Sequence, residues 1–232
     1  LPGYEILNLW VARMILMSSF HLGEVPFKAV MLHGIVRDKQ GRKFSKSLGN
    51  APDPLDIIEK YGTDALRMGL VVGSAPGNDV TFDESKIKGY KNFANKIWNV
   101  SRFVYEHQDY ADVATIPSYS EDDAKDLEEL QVTVRDVTAY LEDYRVDLAA
   151  DRAYHYVWHT FADQVLEKSK TILKGDDLAL KRATGTKLHE MLATSLKLLH
   201  PFMPFVTEEI WQHMKEGPWK HEQLLMIEPW PN

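Results

Sequence analysis

One stretch of this chain reads as extended and wholly apolar, while almost everything after residue 84 is written in helical period, and that contrast limits the fold more than any other feature. Residues 29–36, inside PFKAVMLHGIV, carry Val30, Met31, Leu32, Ile35 and Val36 without polar alternation. This is the pattern of a parallel strand buried on both faces. Ahead of it, Ile6, Leu7, Leu9, Trp10, Val11, Met14 and Ile15 recur at helical spacing over residues 4–20, with Gly23 as the stop. A helix, a buried strand and a loop make one unit of an open α/β sheet, whose ligands sit beyond the carboxyl ends of the strands. A sheet with so few strands leaves an edge and apolar faces uncovered.

Helical patterns at 84–106, 122–145, 147–173, 177–200 and 204–215, with a polar loop at 107–121, must bury their apolar stripes against one another. The second half is predicted to be a helix bundle. Between the two parts, APDPLDIIEKYG places Asp53 as a helix cap, Pro54 at the first helical position and Gly62 as the stop. Thr63 is then placed to cap the next short helix.

Composition excludes several classes. The chain has 232 residues, 44% hydrophobic and 26% charged, enough for a soluble core. Its longest apolar run, near WVARMILM, is too short for a membrane span and contains Arg13. It begins at Leu1 with no basic leader or cleavage site, so it reads as a piece of a longer, cytoplasmic protein. The absence of cysteine excludes disulfides, thiolate metal sites and cysteine nucleophiles. A net charge of -7 argues against indiscriminate nucleic-acid binding, yet five cations lie between Arg37 and Lys46 and five more between Lys86 and Arg102. Two basic islands on an acidic protein suggest polyanions bound at defined places.

The first island is the loop GRKFSKSLGN, Gly41 to Asn50, directly after the apolar run. Its lysines can swing onto a triphosphate and its serine hydroxyls can bond phosphate oxygens, so that charge building on a leaving pyrophosphate is stabilised. A solvated basic turn explains an isolated K-x-S-K-S equally well. It is not a P-loop, because G-x-x-x-x-G-K-[ST] is not matched.

KFSKS at Lys43 to Ser47 resembles the KMSKS signature of class I aminoacyl-tRNA synthetases. GYEILNLWVARMI, DPLDIIEKYGTDALR, APGNDVTFD, NFANKIWNVSRFV and LLHPFMPFVTEEIW resemble successive motifs of the valyl branch, over nearly the whole chain. The resemblance implies a mainly α fold: a class I anticodon-binding helical bundle preceded by the C-terminal piece of an α/β Rossmann catalytic domain. It implies residues 1–50 for that piece, 51–83 for a connecting region that contacts the tRNA stem, and 84–232 for the anticodon-binding domain. The implied parent is a monomer that activates valine with ATP and Mg²⁺ as substrate and transfers it to tRNA(Val), with no membrane and no tightly bound cofactor.

In that scheme Lys46 is the main cation on the leaving phosphates and Lys43 assists. Ser45 and Ser47 shape the loop, and His33 and Gly34 lie near the adenine. Ile6 and Trp10 line the amino-acid pocket, although both also fit an ordinary core. Departures from the pattern are Phe44 where the signature has Met, Glu5 where it has Asp, and Asn8-Leu9 in place of an aromatic pair. The HIGH signature is absent, and HGIV at His33 to Val36 is not it, so this piece is expected not to activate valine alone. An isoleucyl or leucyl synthetase, or a non-catalytic tRNA-binding module, is the alternative.

The second island, KIKGYKNFANKIWNVSRFV, mixes cations with Asn92, Asn95, Asn99 and aromatics, a composition suited to phosphates, base edges and stacking. Related synthetases use this helix on anticodon bases, which makes Phe103 a stacking platform, Asn99 a hydrogen-bond partner, and Lys96 and Arg102 phosphate contacts. The bland alternative places Phe103 in the core with Phe93, Ile97, Val100 and Val104. His155, His159 and Asp163 have the spacing of a helical metal pair, but core or tRNA-facing histidines fit the aromatic surroundings better and no metal is expected. The tryptophans Trp158, Trp211, Trp219 and Trp230 read as packing, and the acids of 121–129 as a solvated helix start.

Overall fold

The computed structural model describes residues 3–45, 47–111, 117–214 and 223–231. The chain opens with a 3-10 turn, Tyr4–Ile6, and a π turn, Leu7–Val11, that run into helix α1, Ala12–Leu22. Gly23 ends it by bonding Ser19 O at 3.1 Å, as its sequence position implies. Strand β1, Val36–Arg37, pairs in parallel with β2, Val80–Thr81. Helices α2, Pro54–Tyr61, and α3, Thr63–Val71, lie between the strands.

The apolar run departs from expectation. Only Val36 of residues 29–36 lies in β1, His33 adds an isolated bridge to Gly3, and Val30 is 36% exposed. A strand buried on both faces needs neighbours on both edges and helices above and below. Among the described residues β2, the backbone of Gly3, the Gly77 N–H on Leu32 O at 2.9 Å and the Asp79 carboxylate on Ile35 N pair with this run only in part. The same lack of cover leaves α1 without one buried residue, with Phe20 83% exposed.

Asp53 caps α2 through Leu55 N at 2.8 Å, with Pro54 first in the helix. Thr63 is not a cap. Gly62, at φ 91°, both stops α2 and serves as the N-cap of α3, so Thr63 is already the first helical residue.

The bundle comprises α4, Glu84–Glu106; α5, Glu121–Glu142; α6, Val146–His155; α7, Leu166–Lys174; α8, Leu178–Leu199; and α9, Pro204–Met214. A π segment, Tyr156–Val165, joins α6 to α7 without a break. Phe93, Leu130, Tyr156, Phe161, Met191 and Trp211 are fully buried at its centre. Trp158 stacks on Phe93 at 5.8 Å, and Trp230 Nε1 donates to Thr138 Oγ1 at 2.8 Å; Trp219 lies outside the described residues. Among the described residues no helix is long and apolar enough to cross a membrane.

The acidic start of α5 is not merely solvated. Ser120 and Asp123 form a reciprocal capping box, and Asp123 with Asp126 holds the buried Lys187 of α8 at 2.6 and 2.7 Å. Further along α5, Glu129 and Asp136 hold Arg152 of α6.

Helix α3 joins the two halves. Asp64 accepts from Phe205 N at 3.2 Å and Val206 N at 2.7 Å at the start of α9, while Arg67 donates to the carbonyls of Phe202 and Pro201 at 3.1 and 3.0 Å. Burial raises the Asp64 carboxyl above its usual range, against the pull of these two backbone donors. Asp64→Ala removes a helix cap and strands two backbone N–H groups, and is expected to lower stability by about 2 kcal/mol. Urea unfolding measures the loss, and an unchanged midpoint would show that the 201–206 turn holds without it.

Candidate functional site

The lysine loop is built outward from Asp38, which follows β1 and is only 8% exposed. Asp38 N–H donates to Arg42 O at 2.9 Å, closing a tight turn. Its Oδ1 accepts from the backbone N–H of Gln40 and Arg42 at 3.0 and 2.8 Å, and its Oδ2 from Arg42 Nε at 2.8 Å and Asn50 Nδ2 at 2.9 Å. The Asn50 hydrogen bond leads in lowering the Asp38 carboxyl to about 2, with the Arg42 bonds adding to it against desolvation. Asn50 also donates to Lys43 O at 3.2 Å and accepts from Ser45 N at 3.0 Å.

On that frame the Lys43 ammonium pairs with Glu5, and the Ser45 and Ser47 hydroxyls bond each other at 2.7 Å. Phe44 packs edge-on against Phe82 at 5.9 Å, so the residue that departs from the signature is an apolar anchor in this structure. Lys46 lies outside the described residues. The Lys43 ammonium and the serine pair, one of whose two O–H groups is used within the pair, offer one charged and one neutral donor toward an anion.

The segment before the loop is pinned by Asp79. Its carboxylate accepts from Ile35 N at 2.8 Å, Arg37 Nε at 2.5 Å and Tyr4 Oη at 3.3 Å. The Ile35 N–H leads in holding it below the usual carboxylate range. Gly34 is required by space, because a Cβ there would sit 1.7 Å from Asn78 O. His33 is exposed; its Nδ1–H donates to Gly34 O at 2.8 Å, and its carbonyl accepts from Tyr4 N at 3.3 Å. Through Tyr4 and Glu5, the His33-Gly34 corner and Lys43 border one region. Ile6 is half-buried and Trp10 is 60% exposed, on the uncovered face of the N-terminal helix.

The second region is α4. Asp83 caps it through Ser85 N at 2.9 Å, and Ile87, Tyr90, Phe93, Ile97, Val100 and Val104 form its buried stripe. Lys96, Asn99, Arg102 and Phe103 share the outer side. Phe103 is half-buried; its ring lies 4.5 Å from that of His107, whose Nδ1–H donates to Phe103 O at 2.8 Å, and Lys170 Nζ sits 6.0 Å from its centroid. Asn99 is exposed. Arg102 is exposed and pairs with Glu106 at 3.8 Å, whereas Lys96 is paired with Asp163 and lies 4.5 Å over the Trp158 ring.

Sequence reasoning missed Asp38, Asn50 and Asp79, whose signal was only a carboxylate or amide beside a tight turn. It also missed a cavity of about 370 Å³ between α4 and α9, lined by Trp98, Arg102, Tyr105, Ile210 and His213 among others. The rings of His155 and His159 stack at 5.3 Å and face Asp151 and Asp163 at 3.5 and 3.6 Å. Among the described residues no group of three or more histidines and carboxylates is placed to hold a metal ion.

Residues 1–83 match the family model for tRNA synthetases class I (I, L, M and V), and residues 123–232 match that for the anticodon-binding domain of tRNA ligase. The valine–tRNA ligases of Clostridium tetani and Bacillus subtilis are each 43% identical to 99% of this chain, and that of Bacillus cereus is 45% identical over the same share. The chain spans about a quarter of their length, 26% of each. Among solved structures, a ternary complex of Agrobacterium radiobacter K84 LeuRS, tRNA and LeuAMS superposes over 100% of this chain and 28% of that chain, with a TM-score of 0.79 at 22% identity. Mycobacterium tuberculosis methionyl-tRNA synthetase, in complex with methionyl-adenylate, covers 93% of this chain and 44% of its own at a TM-score of 0.72 and 22% identity. The two structures establish the fold, and the identity with the three ligases selects the valyl branch over the isoleucyl and leucyl ones. The chain therefore belongs to the class I tRNA synthetases of valyl type, and corresponds to the tail of their catalytic domain together with the anticodon-binding domain.

Proposed function

We propose that this chain is the part of a cytoplasmic, monomeric valine–tRNA ligase that supplies the lysine loop for adenylate formation and reads the anticodon of tRNA(Val). The observation that carries the reading is identity of 43–45% with valine–tRNA ligases across 99% of the chain, spanning both the loop and α4. In this reading residues 1–50 close the catalytic domain, 51–83 connect it and 84–232 bind the anticodon. The match of residues 1–83 to the class I model supports the second boundary.

The valine carboxylate attacks the α-phosphorus of ATP, the bond to the β-phosphate oxygen breaks, and pyrophosphate leaves. Lys46 and Lys43 stabilise the charge that grows on it, with the Ser45 and Ser47 hydroxyls alongside. His33 and Gly34 border the adenine. Ile6 and Trp10 face the amino-acid side chain. Mg²⁺ arrives with ATP as part of the substrate. A hydroxyl of the terminal ribose of the tRNA then attacks the valyl carbonyl, the bond to the adenylate phosphate oxygen breaks, and AMP leaves.

On α4, Phe103 offers a π face whose edge is fixed by His107, Asn99 offers amide donors and acceptor, and Arg102 offers a guanidinium to phosphate. Lys96 needs to leave Asp163 to do the same. Fluorescence anisotropy of the complete ligase with tRNA(Val), with the same tRNA changed at its middle anticodon base, and with an isoleucine tRNA tests this at one fixed salt concentration. The expected result is a clear preference for unaltered tRNA(Val), with Phe103→Ala weakening it about 5- to 150-fold through the loss of one stacked base. Equal affinity for all three would overturn the reading.

A further inference from the structure

The loop of the proposed ATP site is framed by two residues with no assigned role that make more hydrogen bonds than Lys43 does. Asn50 uses both ends of its amide: Nδ2 donates to Asp38 Oδ2 at 2.9 Å and to Lys43 O at 3.2 Å, and Oδ1 accepts from Ser45 N at 3.0 Å. A residue at the far end of the loop thus grips the backbone on both sides of Phe44, whose ring is seated on Phe82. Asp38, at the near end, is the other jaw, with four donors converging on it from Gln40, Arg42 and Asn50.

Ordinary turn-forming aspartates and asparagines bond to backbone two or three residues away. Asn50 reaches back five, seven and twelve residues to Ser45, Lys43 and Asp38. Its contacts therefore fix where the segment from Lys43 to Ser45 stands relative to β1, while the Lys43 ammonium and the serine hydroxyls stay outside the clasp. A loop that must deliver cations to developing charge benefits from such fixing, because small displacements of a catalytic group are expensive in rate.

We propose that Asp38 and Asn50 form a clasp that positions the Lys43–Ser45 segment for phosphate contact, with Asn50 a positioning residue for adenylate formation. This rests on the reading of the loop as the pyrophosphate-binding element.

The test is ATP–pyrophosphate exchange by the complete ligase with valine and no tRNA. Asn50→Ala removes all three bonds and is expected to lower kcat about 10- to 100-fold while KM for ATP stays within about threefold. Asn50→Asp keeps an acceptor for Ser45 N–H but sets a second carboxylate against Asp38. Arg42 faces that pair from the loop, the Lys43 backbone carbonyl lies beside it while the Lys43 ammonium is turned to Glu5, and Lys39 and Glu84 line the cavity next to it. Two carboxylates this close share a proton as the pH falls. The activity of Asn50→Asp relative to wild type is therefore expected to rise about tenfold between about pH 7 and about pH 5, while the ratio for Asn50→Ala stays flat. A merely structural role would move neither the kcat-against-KM split nor that ratio. Wild-type kcat in Asn50→Ala, or a flat profile for Asn50→Asp, overturns the clasp provided that Lys46→Ala is slow. If Lys46→Ala is also unimpaired, the assignment of the loop to pyrophosphate fails instead.

Discussion

With Lys46 replaced by alanine, the complete ligase is expected to form valyl-adenylate about 100- to 1,000-fold more slowly, with KM for ATP moved far less. The split follows from where the charge appears. Bound ATP already carries its triphosphate charge, but the pyrophosphate leaving group gains more as the bond to the α-phosphorus breaks. A cation aimed there stabilises the transition state over the ground state. Lys43→Ala is expected to lose only about tenfold, because that ammonium is shared with Glu5. The Lys43 and Glu5 side chains are 53% and 39% exposed, and an exposed pair contributes at most about 1 kcal/mol, so ATP can draw Lys43 away. Steady-state ATP–pyrophosphate exchange at varied ATP reads both parameters. Full activity in Lys46→Ala would remove the loop from the chemistry, and a loss confined to KM would make it a binding element only.

The helices were legible because burial leaves a periodic trace. Ile87, Phe93, Ile97, Val100 and Val104 recur at the spacing that faces them inward, and α4 begins and ends where that stripe does. The apolar run at 29–36 misled for the reason that made it informative. Its composition reports that this segment is meant to be covered, and says nothing about whether the cover lies within these residues. Charges misled in the same way. The acids of 121–129 look solvated in one dimension, but Lys187, 61 residues beyond Asp126, is invisible until the fold brings α8 to α5. Lys96 reads as a free cation until Asp163 and Trp158 arrive from the π segment. That segment itself, Tyr156–Val165, carries apolar residues at spacings that fit a 3.6-residue turn well enough to hide its widening. Asp38 and Asn50 are the same problem at the site. Turn-forming residue types were visible, and the bonds that span five to twelve residues were not.

Removing the Lys187 ammonium is expected to be the most destabilising single change in the bundle, about 3–5 kcal/mol for Lys187→Ala. The Lys187 side chain is 5% exposed and those of Asp123 and Asp126 are 10% and 13% exposed, so all three charges are out of water and only their mutual contacts compensate. Truncation leaves two carboxylates facing each other. Burial by itself pushes the Asp123 carboxyl up, but the bonds from Lys187 and Ser120 outweigh it and hold the group below its usual range. Its contribution in the native protein is therefore present above the ordinary aspartate pKa and is lost as pH falls through the lowered value. Without Lys187 the balance at Asp123 reverses: burial and like charge dominate, its carboxyl titrates upward, and protonation relieves the variant. The stability gap between wild type and Lys187→Ala is thus expected to narrow as the pH is lowered from about 7 to about 4. Urea unfolding of both proteins at the two pH values measures it. A gap below about 1 kcal/mol, equal at both, would mean that water reaches the three charges and that they stabilise no more than a surface pair. A large, pH-dependent gap would mean that the seam between α5 and α8 is held by charge. Helix α4 packs against α8 as well, so the face of α4 proposed to meet tRNA would rest on that seam.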